Sequence, residues 1–201
     1  GKLLFWPPSP METGTAFVSL LDSAMVSLED TRNITIRGIT FSNSRGNAIV
    51  VNGGENNVIA GCDFKNLGDI AIRINGGLKN GVRSCNLYNL TAGGISIRGG
   101  DRKTLTPAGN FVINTHIHHF GQWLKSHQSA ITLGGVGNYI AHNLIHHGPG
   151  TGIMLSGNEH ILEYNELHHL GQEMADVGAF YMGRNWTQRG NIVRYNFFHD
   201  L

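Results

Sequence analysis

The sequence predicts an all-β solenoid of about seven coils, each of three short strands, piled on one another. Three observations predict it. Seven segments align along the chain, closing on Phe41, Phe64, Leu87, Ile117, Ile145, Leu167 and Phe198 at successive spacings of 23, 23, 30, 28, 22 and 31 residues. Within each segment the apolar residues stand two apart, the period of a strand whose alternate side chains face opposite ways. The chain holds 28 Gly and 20 Asn in 201 residues. Both are poor helix formers, and both accept the left-handed conformations that sharp turns require.

Residues 1–23 stand apart from the repeat. GKLLFWPP predicts a short strand ended by Pro7 and Pro8, followed by an irregular lead-in packed on the end of the stack. The repeat occupies residues 24–201. One strand column runs through MVSL from Met25, AIVV from Ala48, AIRI from Ala71, GISI from Gly94, AITL from Ala130, GIML from Gly152 and AFYM from Ala179. The other two strands of each coil lie in the aligned segments, such as GNYIAHNLI from Gly137 and GNIVRYNFF from Gly190. A unit of about 23 residues cannot close a core alone, but stacked units about 4.8 Å apart can. Like residues then form ladders: Ile49, Ile72, Ile95, Ile131, Ile153, Phe180 in one, and Val51, Ile74, Ile97, Leu133, Leu155, Met182 in another. A turn column reads Ile39, Cys62, Cys85, Thr115, Asn143, Asn165, Asn196. Its last three members predict an asparagine ladder, and its cysteines predict buried free thiols.

Composition excludes several classes. A net charge of +1 argues against a basic nucleic-acid surface. No apolar run approaches about 18 residues, so no membrane span is expected. Two cysteines make no disulfide framework. The chain begins at Gly1 and stops where the pattern opens another unit, which reads as a fragment of a longer protein. An open apolar coil end after Leu201 predicts self-association unless another chain or segment caps it.

The pattern NxIxxNxI followed by GIxL, as in GNYIAHNLIHHGPGTGIML, resembles the right-handed single-stranded parallel β-helix of the pectate-lyase type over roughly residues 24–201. GKLLFWPP, LEDTRNITIRGITFSNS and MADVGAFYMGRNWTQRGNIVRYNFFHDL resemble the glycoside hydrolase family 141 type. That resemblance implies a secreted or periplasmic protein that hydrolyses a plant or algal polysaccharide; no cofactor is expected.

In that fold, ligand clefts run along the outer face of the GIxL column. The small residues at 48, 71, 94, 130, 152 and 179 predict a shallow trough there, and Arg73 and Tyr181 are expected to face outward beside it. Extra residues cluster at 99–109, 121–129, 171–177 and 184–190, which predicts loops walling both sides of a cleft in the later coils. These loops carry His127, Glu173, Asp176, Arg184 and Trp186. Tyr181 and Trp186 offer faces for sugar stacking, and Arg184 suits a uronate or sulfate.

All 11 histidines fall between His116 and His199. The pairs His118-His119, His146-His147 and His168-His169, then His199-Asp200, recur at one coil position and predict two columns. Three readings compete: a structural ladder, acid–base or substrate contacts including His147, and a metal site. No HExxH or zinc-type Cys/His cluster is present, so no metal is expected. Carboxylates are few. Asp176 and Asp200 are the candidate acid and base or nucleophile, with His169 and His199 as catalytic neighbours, since adjacent coils place groups within the separations glycosidases use. Glu163 and Glu166 are expected to be solvated, away from the trough. A polysaccharide or oligosaccharide is the expected partner. A lyase or epimerase acting on uronates, and a noncatalytic binding or structural module, are the alternatives.

Overall fold

The computed structural model describes Lys2, residues 4–7, Pro10, Glu12, Gly14 and residues 16–201. Three seven-stranded parallel sheets run the length of the stack. The first holds Val26–Glu29, Ile49–Asn52, Ile72–Asn75, Ile95–Gly99, Ile131–Gly135, Ile153–Leu155 and Phe180–Met182. The second runs from Thr35–Arg37 to Ile192–Arg194, and the third from Thr40–Ser44 to Phe197–His199. Successive strands of the chain belong to successive sheets, so each coil contributes one strand to each face of a parallel β-helix. No helix is long and apolar enough to cross a membrane among the described residues.

The register matches the sequence columns. Ile72, Ile95 and Ile131 are consecutive Cα partners, as are Phe41, Phe64, Leu87 and Ile117. Alternation drives one residue in two inward, where Ile49, Ile72, Ile95 and Ile131 are at most 1% exposed. Each such burial stabilises by roughly 1.5–3 kcal/mol. In the last coil, Val193 and Phe198 hold the places of the buried Leu162 and Leu167 but stay half-exposed at the end of the stack.

Three corners per coil explain the turn residues. Each corner column holds one left-handed residue from every coil. Asn43, Asn66, Asn89, His119, His147, His169 and Asp200 form one such column, with φ between 47° and 60°. The others run from Asn33 to Gly190 and from Gly38 to Tyr195. Asn, Asp and Gly bear this conformation at least cost.

Two polar ladders line the inside of the corners. The expected one is present: the Asn143 backbone N–H donates to Asn165 Oδ1 at 3.1 Å, and Asn165 N–H to Asn196 Oδ1 at 2.9 Å. Its early members are the buried free thiols Cys62 and Cys85. Burial pushes the Cys85 thiol up to about 11. A second ladder goes beyond the sequence columns: Asn57, Asn80, Asn110, Asn138, His160, Asn191. In each link a side chain accepts the backbone N–H of the coil before it, pairing a donor that would otherwise be orphaned.

Two expectations are corrected. The small residues at 48, 71, 94, 130, 152 and 179 do not form an outer trough, because they are all buried. They sit where the backbone bends inward: a Cβ on Gly94 would lie 2.6 Å from the Ala130 carbonyl oxygen, so small size serves close coil stacking. The strand expected in GKLLFWPP lies partly outside the described residues. Those that are described there, Lys2 and residues 4–7, are not in a strand, and Leu4, Phe5 and Trp6 are exposed.

Candidate functional site

The long loops of the later coils build a cleft of about 380 Å³ on the first sheet. Its floor is the outward face of two neighbouring strands, where Met154 and Tyr181 are Cα partners. Ser126, His127 and Gln128 form one wall, and Met174 to Val177 the other, with Arg184 at the rim. Arg184 Nη2 donates to Asp176 Oδ2 at 3.4 Å, and both side chains are well exposed. The cleft thus collects one carboxylate, one imidazole, one phenol and one guanidinium.

The backbone marks the same place. Outside the three corner columns, the left-handed non-glycine residues among those described are Asp30, Leu105, His127, Asp176 and Arg184. Three of these five line the cleft. Strained residues away from repetitive structure are held by their surroundings and tend to cluster at functional sites.

Of the sequence-predicted site residues, the structure brings together His127, Asp176, Tyr181 and Arg184. Trp186 is 97% exposed and faces a separate groove of about 650 Å³ with Arg102, Lys103 and Arg189. The loops on the two sides of the first sheet therefore wall two hollows, not one cleft. Arg102 ties the second together, donating to Asn158 Oδ1 at 2.9 Å and Thr187 Oγ1 at 2.8 Å. Arg73 pairs with Asp69 at 3.3 Å, four strands from Tyr181. At about 4.8 Å per strand that is roughly 19 Å, too far to share one sugar unit. Glu173 pairs with Lys125 and lines a shallow hollow beside His147.

Asp200, His199 and His169 stand apart from Asp176, on the corner after the third sheet. His199 Nδ1 meets Asp200 Oδ2 at 2.8 Å, and its Nε2 meets Glu166 at 3.2 Å. The hydrogen bond with Asp200 raises the His199 pKa, and the same bond lowers that of Asp200. No hydrogen bond or ion pair among the described residues joins Asp176 to Asp200.

The histidine columns form two continuous ring stacks. Tyr88, His118, His146, His168 and His199 stack at centroid distances of 5.4, 5.1, 4.7 and 4.8 Å. His119, His147 and His169 stack beside them at 5.0 and 4.9 Å. Rungs join the two: Nδ1 of His118 lies 2.7 Å from Nδ1 of His119, and the pairs 146–147 and 168–169 meet at 2.6 Å. Consecutive residues of a straight strand face opposite ways. The left-handed second member of each pair is what turns both rings to one side. Burial, then neighbouring imidazoles, pushes His118 down to about 4 and His146 to about 3. These rings are neutral at pH 7.

Glu163 is a further correction. It is buried, accepting from Tyr139 Oη at 2.8 Å and Arg194 Nε at 2.6 Å. Those bonds, Tyr139 first, hold its carboxyl below the usual range. Sequence reasoning missed Thr151 and Met174 as cleft lining, and His116 as a neighbour of the imidazole stack. The His-x-His spacing of His116 and His118 was the available signal, since residues two apart share a strand face.

A family model described as "Right handed beta helix region" matches residues 24–107. No curated protein matches the chain, and no solved structure does. The matched residues cover the early coils, and the three parallel sheets carry the same winding through the last one. The chain is a right-handed parallel β-helix.

Proposed function

We propose that this β-helix holds a polysaccharide in the cleft at Asp176 and cleaves its glycosidic bonds. The observation that carries the proposal is the convergence of three left-handed non-glycine residues outside the corner columns, His127, Asp176 and Arg184, with Tyr181 on one cleft. Tyr181 supplies a ring face for a sugar. Arg184 supplies a planar donor pair for a carboxylate or sulfate on the polymer. In hydrolysis, Asp176 serves either as the carboxylic acid that protonates the glycosidic oxygen as its bond to the anomeric carbon breaks, or as the carboxylate that takes the proton of the attacking water. The resemblance to glycoside hydrolase family 141 supports this reading and an extracytoplasmic location.

One observation favours a second reading, β-elimination on a uronate polymer. Asp176 is the only carboxylate among the described residues lining the cleft, whereas hydrolysis by the usual route uses two. Elimination needs one base and a cation to neutralise the uronate, and His127, Tyr181 and Arg184 are of those types.

A panel of neutral and uronate polysaccharides tests both. Hydrolysis releases reducing ends without ultraviolet absorbance, and elimination leaves an unsaturated product that absorbs. Either product, lost in Asp176→Asn, supports cleavage at this cleft. Full activity in that variant, or no product and no binding across the panel, overturns it.

A further inference from the structure

We propose that His116, His118 and His146 form a binding site for a divalent transition-metal ion of the zinc class, held by three imidazole nitrogens with a fourth position open. Nothing in the cleft at Asp176 enters this inference, and the two stand or fall separately.

His116 and His118 are two apart in His116–His118, so both face outward. His146 is the Cα partner of His118 in the next coil. The three rings therefore occupy adjacent corners of one patch, with centroids 4.3, 4.9 and 5.1 Å apart. One ring nitrogen from each lies within 4.8 Å of the other two. Nε2 of His116 and Nε2 of His146 are 2.8 Å apart. A tetrahedral ion with bonds of about 2.0–2.1 Å sets its donor nitrogens about 3.3 Å apart. The His116 and His146 nitrogens lie about 0.5 Å inside that spacing, and the His118 nitrogen lies within 4.8 Å of both.

Nε2 of His116 and Nε2 of His146 share a hydrogen bond, which an ion between them would replace, and the surrounding contacts engage the opposite nitrogens of His118 and His146. Nδ1 of His118 is engaged by His119 and Nδ1 of His146 by His147. In the tautomer that places the proton on Nδ1 of His118 and His146, each Nε2 presents a bare lone pair. A ligating histidine ordinarily has its other ring nitrogen fixed by a second group, which sets the tautomer and the ring orientation. His119 and His147 fill that role here. Beside His116, in register one coil earlier, the Asn86 side-chain oxygen is buried without a partner. It is an acceptor of the kind that His116 Nδ1–H needs once Nε2 is turned to an ion.

The other clustered set, Glu166, His168 and His199, is less suited. Both nitrogens of His199 face carboxylates, and its raised pKa favours the protonated ring, which offers no lone pair. Three neutral imidazoles with an open position form the donor set of a catalytic rather than a structural zinc site.

The test uses the 201-residue chain, free of any added histidine tag and stripped with a chelator. Zn²⁺ is titrated calorimetrically and Co²⁺ by its visible absorption. One ion per chain is expected, with the intense bands of four-coordinate Co²⁺. His146→Ala is expected to weaken Zn²⁺ on the order of 100-fold or more, and His147→Ala about 10–100-fold through loss of orientation. His127→Ala and His142→Ala, outside the patch, leave affinity unchanged. Circular dichroism separates misfolding from loss of a ligand, and the wild-type Co²⁺ spectrum stands without any variant. Six-coordinate Co²⁺ bands, no measurable binding, or undiminished affinity in His146→Ala overturns the proposal.

Discussion

His160 Nδ1 accepts the backbone N–H of Asn138 at 3.0 Å, the place that an asparagine side-chain oxygen holds in the coils before and after it. Its Nε2 lies 3.2 Å from the Ser156 carbonyl oxygen, to which the Nε2–H tautomer donates. An imidazole thus reproduces both polar edges of the amide it replaces, but unlike an amide it can take a proton.

That difference predicts a pH dependence. Burial lowers the pKa of His160 below 6.5 against the opposing backbone hydrogen bonds, and Arg102 nearby adds to the lowering. Below pH 6.5 the unfolded chain takes up a proton that the folded chain resists. The stabilisation is therefore complete above pH 6.5 and lost as pH falls below it. His160→Asn restores an amide and removes this share of the slope. Melting temperatures measured from about pH 8 to about pH 5 should fall more steeply in the wild type than in the variant. Parallel slopes contradict the assignment.

The asparagine ladder predicts a large cost for a small truncation. Asn165 accepts from the Asn143 backbone and side chain at 3.1 and 2.9 Å and donates to the Ile140 carbonyl at 3.0 Å. Asn165→Ala orphans a buried N–H and a buried carbonyl, each costing about 1–3 kcal/mol. Urea unfolding should show a loss of roughly 2–6 kcal/mol. A loss under about 0.5 kcal/mol would mean that water enters the ladder.

Two glycines separate conformation from space. Gly135 has φ of +92°, and a Cβ there would lie 1.9 Å from the Gly99 carbonyl oxygen of the coil below. Gly61 has φ of +56° with nothing within 4 Å of its Cβ position. Gly61→Ala should cost about 1–2 kcal/mol, the left-handed penalty alone. Gly135→Ala must also push neighbouring coils apart, so it should cost several times more or prevent folding. Equal melting points for the two variants would deny the close approach.

At the cleft, stability and activity should separate. The Asp176–Arg184 pair is solvated, so breaking it changes stability by about 0–1 kcal/mol. Asp176→Asn should nevertheless lower polysaccharide cleavage by about 10²–10⁴-fold if its proton is used. A variant that melts as the wild type does and cleaves as fast removes Asp176 from the chemistry.

The winding was legible because it is written as a period. Ile72, Ile95 and Ile131, or Asn143, Asn165 and Asn196, name their neighbours by recurring at one place in the coil. The ladder through His160 was not legible, because a residue of another type stands in for asparagine and breaks the column to the eye. The small residues before each first-sheet strand misled for a related reason: alternation assigned them outward, whereas the corner had already turned inward.

The loops were legible as insertions but not as shapes. Their lengths located the later coils as the place where side chains gather. What joins Arg102 to Thr187, 85 residues on, or sets Asp176 beside Arg184 and away from Asp200, is a contact with no local signature.

By itself the sequence determined the winding, the register of the apolar columns and the existence of the histidine stacks, since hydrophobic period and turn chemistry are properties of neighbours along the chain. Only the tertiary structure decided that His116, His118 and His146 share one patch, and that His127, Asp176, Tyr181 and Arg184 share a cleft that excludes Trp186 and Arg73. Stacking converts sequence separations of 22 to 31 residues into a few ångströms. Which side chains then meet depends on how each corner is turned, and a periodicity does not carry that information.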